Sequence, residues 1–104
     1  MSALPPSIVE VLSIMFVAVV CEFSSDDTRS EIYKLLKQYG FERIYRDAFE
    51  SVTIKARVLA RLKRDIDRIT DFYDRVRLYQ FPLDDTFVIT TLHDKKWRKT
   101  VVKS

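Results

Sequence analysis

The chain has 104 residues, 18 basic and 15 acidic, a formal charge of +3 and one glycine. That is one domain with a modest two-layer core, apolar enough at 47% to be globular rather than disordered as a whole, with a mobile N-terminal extension expected. The charge permits a polyanion partner without demanding one, and a single cysteine, Cys21, excludes a disulfide framework or a CxxC zinc site.

Residues 1–13, with Pro5-Pro6, read as an N-terminal extension, because neither proline fits a helix interior or a central strand. The apolar run from Ile8 to Phe23 is broken by Glu10 and Ser13. It falls short of the roughly 20 residues of a membrane span and has no basic residue before it. The expectation is a cytoplasmic protein with no membrane partner.

Residues 14–104 form the single domain. Ile14 to Phe23 is nearly continuous in Val, Ile and Phe, which predicts a buried central strand. It ends on an acid, Glu22, and a Ser/Asp cluster follows. Asp26 or Asp27 is the expected cap of a helix running to about Tyr39 and stopped by Gly40, with Ile32, Leu35, Leu36 and Tyr39 as its apolar face.

Phe41 to about Thr53 reads as extended. Its alternation breaks near Arg46-Asp47, which predicts a bulge or tight turn there. A second helix is expected from Ile54 to Thr70, buried through Val58, Leu59, Leu62, Ile66 and Ile69. Arg75–Pro82 and Thr86–Leu92 are two further strands around a Leu83-Asp84-Asp85 turn, and Lys96–Val102 is a short last strand. The order implies an α+β ferredoxin-like βαββαβ sandwich with an extra C-terminal strand or strands. The uncovered sheet face would be a homodimer surface.

An acid closing the first strand and Arg29 opening the helix put a carboxylate and a guanidinium at one end of the molecule. A carboxylate can hold a divalent cation and a guanidinium can fork onto a phosphate. The plainer alternatives are a polar residue at a strand end for Glu22 and an ion pair with Asp26 or Asp27 for Arg29. Arg43 reads equally as exposed filler or phosphate contact, and Phe49 as packing or base stacking.

On the second helix Arg57, Arg61, Arg64 and Arg68 recur at i, i+4, i+7 and i+11, one face opposite the apolar stripe. With Lys95 and Lys96, in a second cluster with Arg98 and Lys99, they are the candidate nucleic-acid contacts. His93 stands alone, so no Ser-His-Asp or Cys-His arrangement is expected. Trp97 is expected at an interface.

These motifs resemble those of the CRISPR-associated Cas-two family, with the VapD-like nucleases as wider kin. The resemblance runs from Met-x-Val-x-Val-Val-x-acid at Met15–Glu22 and Arg29, through Leu35-Leu36-Lys37-x-Tyr39-Gly40, to Arg43-Ile44 and Phe49. It continues with Leu62-Lys63 and Arg75-Val76-Arg77-Leu78-Tyr79. What it implies is a homodimer acting in spacer acquisition, bridging the CRISPR integrase (Cas-one) and lying along DNA. It also implies a possible Mg²⁺-dependent endonuclease on RNA or DNA. In that chemistry Glu22, one from each protomer, would hold the metal, with Glu22, Arg29, Arg43 and Phe49 as the catalytic set.

The family's usual residues at the strand end are aspartate preceded by tyrosine, where this chain has Glu22 preceded by Cys21. The extra methylene moves the carboxylate by about one bond length, and magnesium tolerates little displacement. Glu31 also stands where some relatives carry a second arginine. The alternatives kept open are a VapD-like metal-dependent endoribonuclease and a non-catalytic ferredoxin-like dimerisation module.

Overall fold

A computed structural model describes residues 14–81 and 86–103. The expected N-terminal extension and the Leu83-Asp84-Asp85 turn lie outside the described residues. The elements are β1 (Ile14–Glu22), α1 (Asp26–Gln38), β2 (Glu42–Tyr45), β3 (Ala48–Lys55), α2 (Ala56–Ile69), β4 (Arg75–Phe81), β5 (Thr86–His93) and β6 (Lys96–Lys103). The six strands make one sheet in the order β2-β3-β1-β4-β5-β6, and every neighbouring pair is antiparallel. Since β1 and β2 both run against β3, the first helix is the crossover between two parallel strands that flank a third.

Alternation along β1 sorts the two faces. Val17, Val19 and Cys21 point into the core with Ile32 and Leu36 of α1, Leu59, Leu62 and Ile66 of α2, and Val76 and Leu78 of β4. Both helices therefore cover the same face. Leu62 and Ile66 are fully buried, so truncating either to alanine should cost about 2–5 kcal/mol. The opposite face is a chain of aromatic contacts: Phe16 with Phe81 at 5.9 Å, Phe81 with Phe87 at 4.4 Å, and Phe87 with Tyr79 at 6.0 Å. Phe81 is 49% exposed there.

Ser25, rather than Asp26 or Asp27, caps α1. Its backbone is extended, and its hydroxyl accepts the Thr28 amide at 3.1 Å. The two aspartates fall instead in the first turn, where their charge suits the helix dipole. At the other end Gly40 adopts φ +86°. That left-handed step lets Phe41 N donate to Leu36 O and Gly40 N to Lys37 O, both at 3.0 Å, in a Schellman closure. Phe41 then plugs the core at 5% exposure.

The break expected near Arg46-Asp47 is the turn between β2 and β3, and a register shift accompanies it. Helix α2 starts at Ala56, later than expected, because Ile54 and Lys55 still pair with β1. Trp97 packs partly buried against the core on β6. No helix among the described residues is long and apolar enough to cross a membrane.

Candidate nucleic-acid interface

The expected site residues divide between the two faces of the sheet. Glu22 ends β1 in register with Arg75 of β4 and is exposed. With Arg77, Tyr79, Thr91 and His93 it lines a shallow groove of about 360 Å³ on the uncovered face. Arg77 donates to the Tyr79 hydroxyl at 3.3 Å and lies 5.9 Å from that ring. The groove presents two guanidiniums beside one carboxylate.

Behind the sheet, Arg29, Arg43 and Phe49 meet around Tyr33. Arg29 Nε donates to Asp47 Oδ1 at 3.1 Å, and its Nη1 pairs with Asp26. The Tyr33 hydroxyl donates to the same Asp47 oxygen at 2.8 Å and also bonds the Arg46 carbonyl. Burial, and then this hydrogen bond, push the Tyr33 phenol above its ordinary value. Arg43 lies 4.9 Å over the Tyr33 ring, and Phe49 meets that ring edge-on at 5.1 Å. Tyr33, Arg43 and Phe49, with Lys37 and Glu42, line a second pocket of about 550 Å³.

The two arginines differ. Arg29 is bound to two carboxylates and only 20% of its side chain is exposed. Arg43 is exposed and, among the described residues, meets no carboxylate within ion-pair distance. Its place over Tyr33 holds an exposed guanidinium at the surface, a group that can fork onto a phosphate. Phe49 is 3% exposed and therefore packs in the core; it offers no face to a base.

Arg57, Arg61, Arg64 and Arg68 are all exposed along α2. Arg68 reaches Asp65 at only 3.5 Å with 76% of its side chain in solvent. Arg61 lies beside the Tyr39 hydroxyl, which donates to Asp65 at 2.6 Å and ties α1 to α2. Lys95, one of the expected contacts, is held within the chain. Its ammonium donates to Thr70 O at 3.0 Å and to Asp67 O, and pairs with Asp67 Oδ1 at 3.1 Å. It closes the C-terminal end of α2, where a cation suits the dipole. Lys96 is exposed.

Among the described residues, no group of three or more His, Cys, Asp or Glu side chains could hold a metal. Glu22 offers one carboxylate in a groove shared with Arg75 and Arg77. One acid among cations does not fit the oxygen shell that magnesium requires, so the described residues of a single copy supply no such site.

Two acids that matter were not singled out from the sequence. Asp47 was visible only as half of a turn, yet it organises Arg29 and Tyr33. Asp74 is fully buried. It accepts Ser24 N at 2.8 Å, Ser24 Oγ at 3.0 Å and Asp71 N at 2.8 Å, pinning the loop after Glu22 to the start of β4. A DxxD spacing across a predicted break was the available signal for this turn.

Residues 15–100 match the family described as CRISPR associated protein Cas2. The chain belongs to the Cas2 family. It is 35% identical over 66 residues to two curated Mycobacterium tuberculosis proteins, from strains CDC 1551 / Oshkosh and ATCC 25618 / H37Rv, each called CRISPR-associated endoribonuclease Cas2. Those alignments take in 64% of this chain and 57% of each relative, so the chain spans little more than half their length. The crystal structure of hypothetical protein TT1823 from Thermus thermophilus is similar, with TM-score 0.56 and 27% identity. That match covers 70% of this chain and 85% of the other. The Cas2 match begins at β1 and runs into β6, taking in both helices and every strand end discussed above.

Proposed function

We propose that this Cas2 protein is a homodimer that binds nucleic-acid backbone without sequence preference and serves in CRISPR spacer acquisition by bridging the integrase (Cas-one). The observation that carries the reading is the exposed arginine row on α2, together with Arg43 stacked and outward on the same side of the sheet. Such groups meet phosphates and carry no base information. The aromatic face opposite the helices, with Phe81 and Val20 exposed at 49% and 45%, is the surface a second copy would cover. The order β2-β3-β1-β4 with both helices on one face supports the ferredoxin-like assignment. Binding of duplex DNA measured across a salt series tests the proposal. Affinity should fall steeply as salt rises. No binding of any nucleic acid, DNA or RNA, at low salt would leave only a non-catalytic dimerisation module.

A second reading is cleavage of RNA, the activity in the name of the M. tuberculosis relatives, with Mg²⁺ as the metal it would need. Its support is the placement of Glu22 in an open groove beside Arg75 and Arg77. It requires a second copy to bring a second acid. RNA cleavage that needs magnesium and is lost in Glu22→Gln would establish it.

A further inference from the structure

The turn between α2 and β4 holds two large rings in water. Phe72 is 55% exposed and Tyr73 is 77% exposed. Their centroids lie 5.8 Å apart at 82°, edge to face, and much of both rings stays in solvent. The turn that carries them is firmly tied. Tyr73 N donates to Asp71 Oδ1 at 2.9 Å, Asp71 N to Asp74 Oδ2 at 2.8 Å, and Asp74 N to Asp71 O at 3.2 Å. Asp74 in turn holds Ser24, two residues beyond Glu22. A tied turn makes these two exposed rings a preformed surface.

We propose that Phe72 and Tyr73 form a stacking platform for unpaired nucleobases at the Glu22 end of the sheet. The argument rests on the nucleic-acid reading given above and adds a class of ligand to it: strands with single-stranded ends. Charge favours bases over an apolar protein pocket. Arg68 ends the α2 row four residues before Phe72, and Arg75 follows Tyr73 by two, opposite Glu22. A backbone following the arginine row travels about 1.5 Å per residue along the helix and leaves it at this turn. There its phosphates meet guanidiniums and its bases meet open rings, the two contacts that single-strand binding combines.

The test compares a blunt DNA duplex with the same duplex carrying unpaired adenine ends, using the full chain and a salt series. The wild type should bind the duplex with ends more tightly. Phe72→Ala/Tyr73→Ala should remove that gain, about tenfold per stacked base, while leaving blunt-duplex affinity and the salt slope unchanged, since the rings release no counterions. Tyr73→Phe should retain the gain. Phe72→Leu/Tyr73→Leu should lose it, because leucine offers apolar surface without a π face. Thermal unfolding establishes that each variant is folded. Retention by the leucine variant, or equal binding of both duplexes by the wild type, overturns the platform alone. A wild type that binds neither duplex overturns the nucleic-acid reading as well.

Discussion

Arg29 and Asp47 are bound to each other across the end of the sheet, Nε to Oδ1 at 3.1 Å. The guanidinium that opens α1 is thereby fastened to the turn between β2 and β3, and Tyr33 donates to the same oxygen. A carboxylate already fills the place a phosphate would take. Arg29→Gln should lower the urea midpoint, by loss of the bonds to Asp47 and Asp26, and change nucleic-acid affinity little. Arg43→Gln should do the reverse, reducing the salt slope by about one with an unchanged urea midpoint. Urea unfolding and a salt titration on both variants decide the matter.

Burial, with Asp47 beside it, pushes the Cys21 thiol from 9.0 to about 12. Above pH 9 the unfolded chain releases this proton while the native chain keeps it. Stability is therefore lost as pH rises through that window. Cys21→Ala should lose less stability between pH 8 and pH 10 than the wild type, by urea unfolding at each pH. At pH 8 the native thiol should resist iodoacetamide until denaturant exposes it.

Lys95 and Lys96 are neighbours with different work. Asp94 and Lys95 both sit at positive φ, +55° and +59°, as the two-residue hairpin between β5 and β6 requires. Lys95→Ala keeps that backbone strain and loses the hold on Thr70 and Asp67, so it should cost about 1 kcal/mol. Lys95→Gly should cost less, because glycine accepts the left-handed angle freely. Neither should alter DNA affinity, whereas Lys96→Ala should weaken it. Thermal unfolding and filter binding on the three variants separate these effects.

Asp74→Ala should remove the buried carboxylate that accepts the Ser24 and Asp71 amides. The expected loss is on the order of 3 kcal/mol. Ser24→Ala, which keeps its amide donor, should lose no more than about 1 kcal/mol. Urea unfolding of the two variants gives the comparison directly.

The hydrophobic spacing of β1 and α2, the Gly40 stop and the break at Arg46-Asp47 were legible because each is local: period, cap and turn chemistry act over a few residues. The cap at Ser25 was missed because three neighbouring residues, Ser25, Asp26 and Asp27, can all cap a helix, and only backbone geometry selects one. The role of Lys95 was missed for a different reason. It depends on where β6 returns relative to the end of α2, a contact between residues 25 and 28 positions apart. Asp47 is the same case. Its charge could be read, but its partners come from α1 and are assembled only by the crossover. Arg29 was read as needing an anion beside it, and Asp26, one of the two named, is a partner; the second partner, Asp47, was a question of tertiary structure.

Binding of blunt duplex DNA by the full chain and by Arg61→Gln/Arg64→Gln/Arg68→Gln, each followed across a salt series, is the most direct measurement. Expected are wild-type affinity that falls steeply with salt and a variant slope shallower by about three, one for each lost phosphate contact. Equal slopes, or no DNA bound by the wild type at low salt, would contradict the backbone-binding role.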